Sequence, residues 1–156
     1  MKASDIMVSQ VVKVLEGDTI RTVIEKLVTH RVGSMPVVNH CNQIKGYISD
    51  GDIMRALGSQ TKVMMVSPFF SSTWLDTQTI EEKYRDVITS NVMEFATKRA
   101  ITVNVDMAID DVATILGRRN LKKVVVEKNG GYLAGIISRS DLMRYLNDQF
   151  MHKRPS

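Results

Sequence analysis

Gly46-Tyr47-Ile48-Ser49-Asp50-Gly51-Asp52 and Gly135-Ile136-Ile137-Ser138-Arg139-Ser140-Asp141 are one unit written twice. Each reads Gly, two apolar residues, Ser, two variable residues and Asp. Each then runs into a short helical stretch, Ile53-Met54-Arg55-Ala56-Leu57 or Leu142-Met143-Arg144-Tyr145-Leu146. The two glycines set an offset of 89 residues (135 less 46), and the same offset carries outward without a gap. It pairs Val14 with Val103, Ile20 with Ile109, Val23 with Val112, Leu27 with Leu116 and Val37 with Val126, then Ile48, Ser49, Asp52, Met54, Arg55 and Leu57 with identical residues. The chain is an internal duplication, and its period decides the fold.

Between the paired positions each half reads the same way. Residues 4 to 9 form a helical turn, and Val11 to Leu15 form a β-branched strand. Asp18 caps a helix from Thr19 to His30, whose apolar face is Ile20, Val23, Ile24, Leu27 and Val28. Gly33 closes the turn before a strand opening at Met35-Pro36-Val37-Val38, and Asn39 to Asn42 connect to the return strand Ile44 to Ile48. The second half repeats this with a helical turn over Val92 to Ala96, a strand over Ile101 to Val105 and a helix over Ile109 to Leu116. There follow strands over Lys123 to Glu127 and Tyr132 to Ile137, joined at Asn129-Gly130-Gly131, and a last helix from Asp141 to about Gln149. Each unit is β-α-β-β-α, too small to bury both faces of its sheet alone, so the expected fold is α/β of the α+β kind, with two units packed in pseudo-two-fold symmetry.

The domain reading is 1–57 for the first repeat, 58–91 for a connecting insert, 92–150 for the second repeat and 151–156 for a disordered tail. The insert is no plain linker. Val63-Met64-Met65-Val66, Phe69-Phe70 and Trp74 are apolar, and Asp76 or Thr77 is placed to cap a helix with Ile80, Tyr84, Val87 and Ile88 on one face. It is expected to pack on the repeats or across a subunit contact.

Composition narrows the function. The 156 residues are 44% hydrophobic, enough for a core, and no apolar run approaches the roughly 20 residues that span a bilayer. Met1 to Asp5 leads into no signal-peptide core, and the single Cys41 fits a reducing compartment, so the expected location is cytoplasmic with no membrane. His40 and Cys41 are too few ligands for a metal site. A net charge of +4 favours anionic ligands, but the basic residues are scattered and aromatics are only 6%, which argues against nucleic acid.

The repeated turn admits two chemical readings. Ser-x-x-Asp at a helix start is the capping-box pattern, which satisfies free backbone amides and needs no ligand. Alternatively, Ser, Asp and a helix N-terminus beside a Gly that permits close approach form a cradle for a ribose and its phosphate. Neither reading supplies a nucleophile with its base, a metal set or paired catalytic carboxylates, so the chain is not read as an enzyme.

The chain resembles a tandem pair of CBS domains, a Bateman module. The resemblance rests on Ser4-Asp5-Ile6-Met7 before the first strand, on Met35-Pro36-Val37-Val38, and on the doubled Gly-x-x-Ser-x-x-Asp motif, and it covers nearly everything outside residues 58 to 91. It implies two clefts between the repeats that bind AMP, ADP or ATP, or an adenosyl compound such as S-adenosylmethionine, as regulatory ligands. By the same resemblance one cleft uses Tyr47, Ser49, Gly51 and Asp52 with Ile101, Lys122 and Lys123. The other uses Ile136, Ser138, Ser140 and Asp141 with Met7, Val12, Gly33 and Ser34. The acids would take ribose hydroxyls, the serines phosphate oxygens, and the apolar residues the base.

Lys122 and Lys123, set against Gly33 and Ser34, imply that the Asp52 cleft takes the more phosphorylated ligand and the Asp141 cleft an adenosine-like or monophosphate one. Asp50, expected beside the phosphates, opposes this unless magnesium bridges. Val125 stands where the family pattern has Pro, and Lys13 stands opposite Thr102. The expected function is a nucleotide-sensing module that signals by conformational change to an effector protein. It is expected as a homodimer through the Met54, Leu57, Met143, Leu146 and Phe150 faces. The alternatives are a protein-interaction module with vestigial clefts and a nucleic-acid binder.

Overall fold

The computed structural model describes residues 1–58 and 78–152 in full and residues 62–67 and 70–76 as backbone. Each half forms a three-stranded sheet. In the first, β1 (Val14–Leu15) runs parallel to β2 (Ser34–Val38), and β2 is antiparallel to β3 (Ile44–Ser49). The parallel pair needs a crossover, which α2 (Ile20–His30) supplies, while the antiparallel pair closes by a short hairpin. After β3 the chain enters α3 (Asp50–Gly58). The second half repeats the order with β6 (Thr102–Asn104), α5 (Ile109–Arg118), β7 (Lys123–Lys128), β8 (Tyr132–Ser138) and α6 (Arg139–Leu146), followed by a wider turn over Asn147–Met151. This is the mixed helix and sheet class with duplicated topology that the repeat demands.

The edge strands are shorter than the periodicity predicts. Val11 and Val12 leave the sheet to pack between the repeats, and β1 keeps only Val14 and Leu15; β6 likewise keeps only Thr102 to Asn104. The α2 cap is Thr19 rather than Asp18, whose carboxylate instead accepts from the Leu15 amide at 2.8 Å and closes the turn out of β1. The left-handed residue that ends α2 is Arg31 (φ 52°), not Gly33, and Asn120 (φ 52°) holds the same place after α5.

The repeats are interlocked. Helix α1 (Ala3–Ile6), although first in the chain, packs on the second repeat: Ala3 is fully buried among Val103, Ile109, Val126 and Ile137, and its amide donates to Met107 O at 2.8 Å. The 3-10 turn Val92–Glu94 does the reverse, burying Val92 against Val14, Ile20 and Ile48 of the first repeat. The two hairpins also bond to each other, Ile44 N to Gly131 O at 2.8 Å and Leu133 N to Asn42 O at 2.9 Å. Between the sheets lies a shared apolar layer of Val38, Val125 and Leu133, with Val11, Leu15, Ile44 and Tyr47 packed on it. Burying these faces against one another meets the need that neither small sheet satisfies alone.

In the insert, β4 (Lys62–Ser67) and β5 (Phe70–Asp76) form a separate antiparallel pair, from Lys62 opposite Asp76 to Ser67 opposite Phe70. Phe69, Thr77 and the end of the tail, residues 153 to 156, lie outside the described residues, as do the side chains of Val63 to Val66, Trp74 and Asp76. Helix α4 (Ile80–Ile88) is capped by Thr79: its hydroxyl accepts from the Glu82 amide at 3.2 Å, and the Glu82 carboxylate accepts from the Thr79 amide at 3.1 Å. Val87 joins the core of the first repeat, whereas Ile80 is 68% exposed, so the expected four-residue face is only half buried. No helix among the described residues is long and apolar enough to cross a membrane.

Candidate functional site

Two cavities of nearly equal size lie between the repeats. The first, about 190 Å³, is lined by Tyr47 from the first repeat and by Thr97, Arg99, Ala100, Ile101, Leu121, Lys123 and Val125 from the second. The second, about 200 Å³, is lined by Ile136, Ser138, Asp141 and Lys123 from the second repeat and by Val8, Gln10, Val11, Val12, Val32 and Ser34 from the first. The repeat offset maps one wall onto the other: Tyr47 on Ile136, Thr97 on Val8, Arg99 on Gln10, Ala100 on Val11, Ile101 on Val12, Leu121 on Val32 and Lys123 on Ser34. The clefts are one cavity made twice, with different polar chemistry at four of these positions: Tyr47 against Ile136, Thr97 against Val8, Arg99 against Gln10 and Lys123 against Ser34.

Backbone pairing across the repeats shapes both. Tyr47 and Thr97 exchange amide bonds at 2.9 Å, and Val8 and Ile136 exchange theirs at 2.9 and 3.0 Å, so each repeat adds one residue to the other's sheet. This is where the motif glycines act. A Cβ on Gly46 would stand 2.8 Å from the Thr97 carbonyl oxygen, and one on Gly135 would stand 2.8 Å from Met7 Sδ and 2.9 Å from Val8 O. The close approach that the sequence assigns to a ligand is taken by the chain's own crossing segment.

The Ser-x-x-Asp motifs are capping boxes in both repeats. Ser138 Oγ accepts from the Asp141 amide at 3.1 Å, while Asp141 Oδ2 accepts from the Ser138 amide and hydroxyl at 2.8 and 2.7 Å. Ser49 and Asp52 make the same set at 3.3, 2.9 and 3.0 Å. The other carboxylate oxygen takes Arg55 on Asp52 and Arg144, at 3.3 Å, on Asp141. A carboxylate offers about four acceptor positions. Three donors therefore leave each acid one to give a ligand.

Only one of the two boxes opens on its cavity. Ser138 and Asp141 line the second cleft; Ser49, Gly51 and Asp52 do not line the first. Tyr47 marks the difference: it lines the first cavity, and its hydroxyl stands 2.6 Å from Oγ of Ser34, the register partner of Ser49. Burial pushes the Tyr47 phenol above its usual range, against a smaller opposite pull from the Ser34 hydrogen bond.

Of the remaining residues implied by the resemblance, the first cavity holds Tyr47, Ile101 and Lys123, and the second holds Val12, Ser34 and Ile136. Lys122, Met7, Gly33 and Ser140 line neither. Asp50 is also absent from both: its carboxylate covers Gly33 and faces an outer groove with Ile24, Val28 and Met54. It therefore does not oppose a phosphate in the first cleft, and the expected clash of charges is not there. Arg99, Thr97 and Gln10 are wall residues that the sequence reading missed. They lie just ahead of the two edge strands, where the repeat offset pairs Gln10 with Arg99 and Val8 with Thr97. Among the described residues no cluster of His, Cys, Asp and Glu could hold a metal ion.

The sequence pattern of the CBS domain matches residues 3–59 and again residues 92–148. The chain is 27% identical over 154 residues to the uncharacterized protein MJ1426 of Methanocaldococcus jannaschii, spanning 94% of this chain and 91% of that one. Its fold is similar to that of a CBS domain-containing protein of unknown function from Bacillus anthracis, with a TM-score of 0.75 at 16% identity over 96% of this chain and 94% of the other. It is also similar to the CBS domain pair of protein MJ0100 solved with 5'-methylthioadenosine and S-adenosyl-L-methionine (TM-score 0.69, 20% identity, 95% and 97% covered). A third likeness is to CBSX2 solved with AMP (TM-score 0.71, 19% identity, 94% and 96% covered).

Proposed function

Because the chain belongs to the CBS-domain family, carrying that domain twice, we propose that it is a regulatory module that binds an adenine nucleotide between its repeats and passes the signal on by a change of geometry. One observation carries this reading: two cavities of matching size, seven wall residues of the first having their counterparts in the second at the repeat offset. Two relatives of the same fold were solved with adenosine-containing molecules, one with AMP and one with S-adenosyl-L-methionine and 5'-methylthioadenosine.

The residues divide the work by chemistry. In the first cleft Tyr47, Ala100, Ile101 and Val125 offer a flat apolar wall for the base, and Arg99 with Lys123 offers two cations for phosphates. In the second cleft Val8, Val11, Val12 and Ile136 take the base and Asp141 a ribose hydroxyl, with Lys123 as the cation on the wall. The first cleft therefore suits the more phosphorylated ligand. The module acts as a homodimer through its outer helical faces, where Met54 is 64% exposed and Met143 57% exposed, and it reports to an effector protein in the cytoplasm.

A thermal-shift titration with AMP, ADP, ATP, S-adenosylmethionine and a cyclic dinucleotide tests the reading. A ligand at a hundred times its dissociation constant adds about 2.7 kcal/mol to stability, which raises the melting temperature by several degrees. The expected result is such a rise with AMP, ADP or ATP. A flat response to all five ligands would overturn it in favour of a protein-interaction module with vestigial clefts.

A further inference from the structure

Ser34 and Lys123 hold equivalent places, each opening the middle strand of its sheet and each facing the serine of its own capping box, Ser49 or Ser138. Their fates differ. The Ser34 hydroxyl is taken by Tyr47, whereas at the matching position Ile136 has no polar atom to give Lys123. Among the described residues no carboxylate pairs with the Lys123 ammonium, although the residue is half-buried. Among those residues Lys123 is also the one that lines both cavities.

A cation that is partly withdrawn from water and lacks an acceptor is stabilised by any anion that reaches it. Lys123 borders two clefts. The first cleft keeps Arg99 as a second cation, but the matching residue in the second cleft is Gln10, and the other charged group on that wall is Asp141. Lys122 cannot replace Lys123 because it lines neither cleft.

We propose that Lys123 couples the two clefts in opposition: a phosphate bound in one draws the ammonium to itself and withdraws it from the other. This rests on the nucleotide-binding reading above. The coupling is reciprocal, since each ligand must weaken the other by the same factor. It depends on charge, so a ligand without phosphate exerts none of it.

The test is calorimetric titration of the full chain with AMP, compared with Ile101→Trp, which fills the first cleft, and repeated in Lys123→Met and Lys123→Arg backgrounds. In the native chain the second AMP is expected to bind about five- to tenfold more weakly than the same cleft binds it when the first is filled by Trp. The difference should vanish in Lys123→Met and persist in Lys123→Arg, and adenosine should bind both clefts independently. One AMP per native chain and two per Lys123→Met chain is the strong form of the same result. Two AMP molecules bound independently in the native chain, or opposition that survives Lys123→Met, would overturn the coupling while leaving the nucleotide reading intact. Absence of any AMP binding would overturn both.

Discussion

The hydroxyls of Tyr47 and Ser34 lie 2.6 Å apart, and this one bond is where the two halves of a duplicated molecule part company. At the equivalent positions stand Ile136 and Lys123, an apolar side chain and a cation with no carboxylate partner among the described residues. The bond ties Tyr47, a wall residue of the first cavity, to the register partner of Ser49, and the Ser49 capping box does not line that cavity. The second box, faced by the smaller Ile136, stays open to its cavity.

Tyr47→Phe removes that bond without changing the shape of the ring. It is expected to cost about 1 kcal/mol of stability, the usual net worth of such a bond. The partly buried phenol has its pKa raised in the folded state, so folding favours the protonated form. The corresponding stability is present below the unfolded value of 10.0 and is lost as pH rises through the folded value. Chemical denaturation at about pH 8 and about pH 11, either side of the ordinary tyrosine value, should show a smaller loss at high pH for Tyr47→Phe than for the native chain. Equal losses would show that Tyr47 has no part in it.

Gly46→Ala and Gly135→Ala each place a methyl group under 3 Å from the crossing segment of the other repeat. Each is expected to destabilise by about 1–3 kcal/mol, the range for overpacking. Gly117 supplies the control. It lies inside α5 with nothing within 4 Å of where a Cβ would stand, so Gly117→Ala should stabilise by about 0.5–1 kcal/mol. Urea denaturation of the three variants measures all of this, and a tolerated Gly46→Ala would contradict the interlocked packing.

Ser138→Ala and Ser49→Ala each remove the acceptor for the N3 amide of a helix and should cost about 1 kcal/mol apiece without any ligand. They separate once nucleotide is added. Ser138→Ala is expected to weaken binding at the second cleft, because Ser138 lines it, whereas Ser49→Ala should leave both clefts unchanged. Calorimetry on the two variants distinguishes a cap that also binds from one that only caps.

The homodimer is tested by charge. Met54→Lys combined with Met143→Lys puts two cations on the outer helical faces; sedimentation velocity is expected to report a dimer for the native chain and a monomer for this variant. A sedimentation coefficient that the substitutions leave unchanged would overturn a dimer through these faces.

The duplication and the two β-α-β-β-α units follow from sequence alone because each is written in periodic terms, an offset and an apolar period, and the Ser followed three residues later by Asp marks where a capping box can form. The cleft walls are legible in part for the same reason, since applying the offset to one wall yields the other. Tertiary structure alone decided the rest. Gly46 and Gly135 are small because a segment from the other repeat crosses them, a contact between residues distant in sequence. Asp50 turns to the outer groove over Gly33, where no neighbour in sequence would send it. That Asp141 lines a cavity and Asp52 does not is likewise seen only in the folded chain, where Tyr47 bonds Ser34 and its counterpart Ile136 makes no such bond. That Lys123 stands between two clefts depends on the packing of one repeat against the other, which brings both cavities to a single side chain.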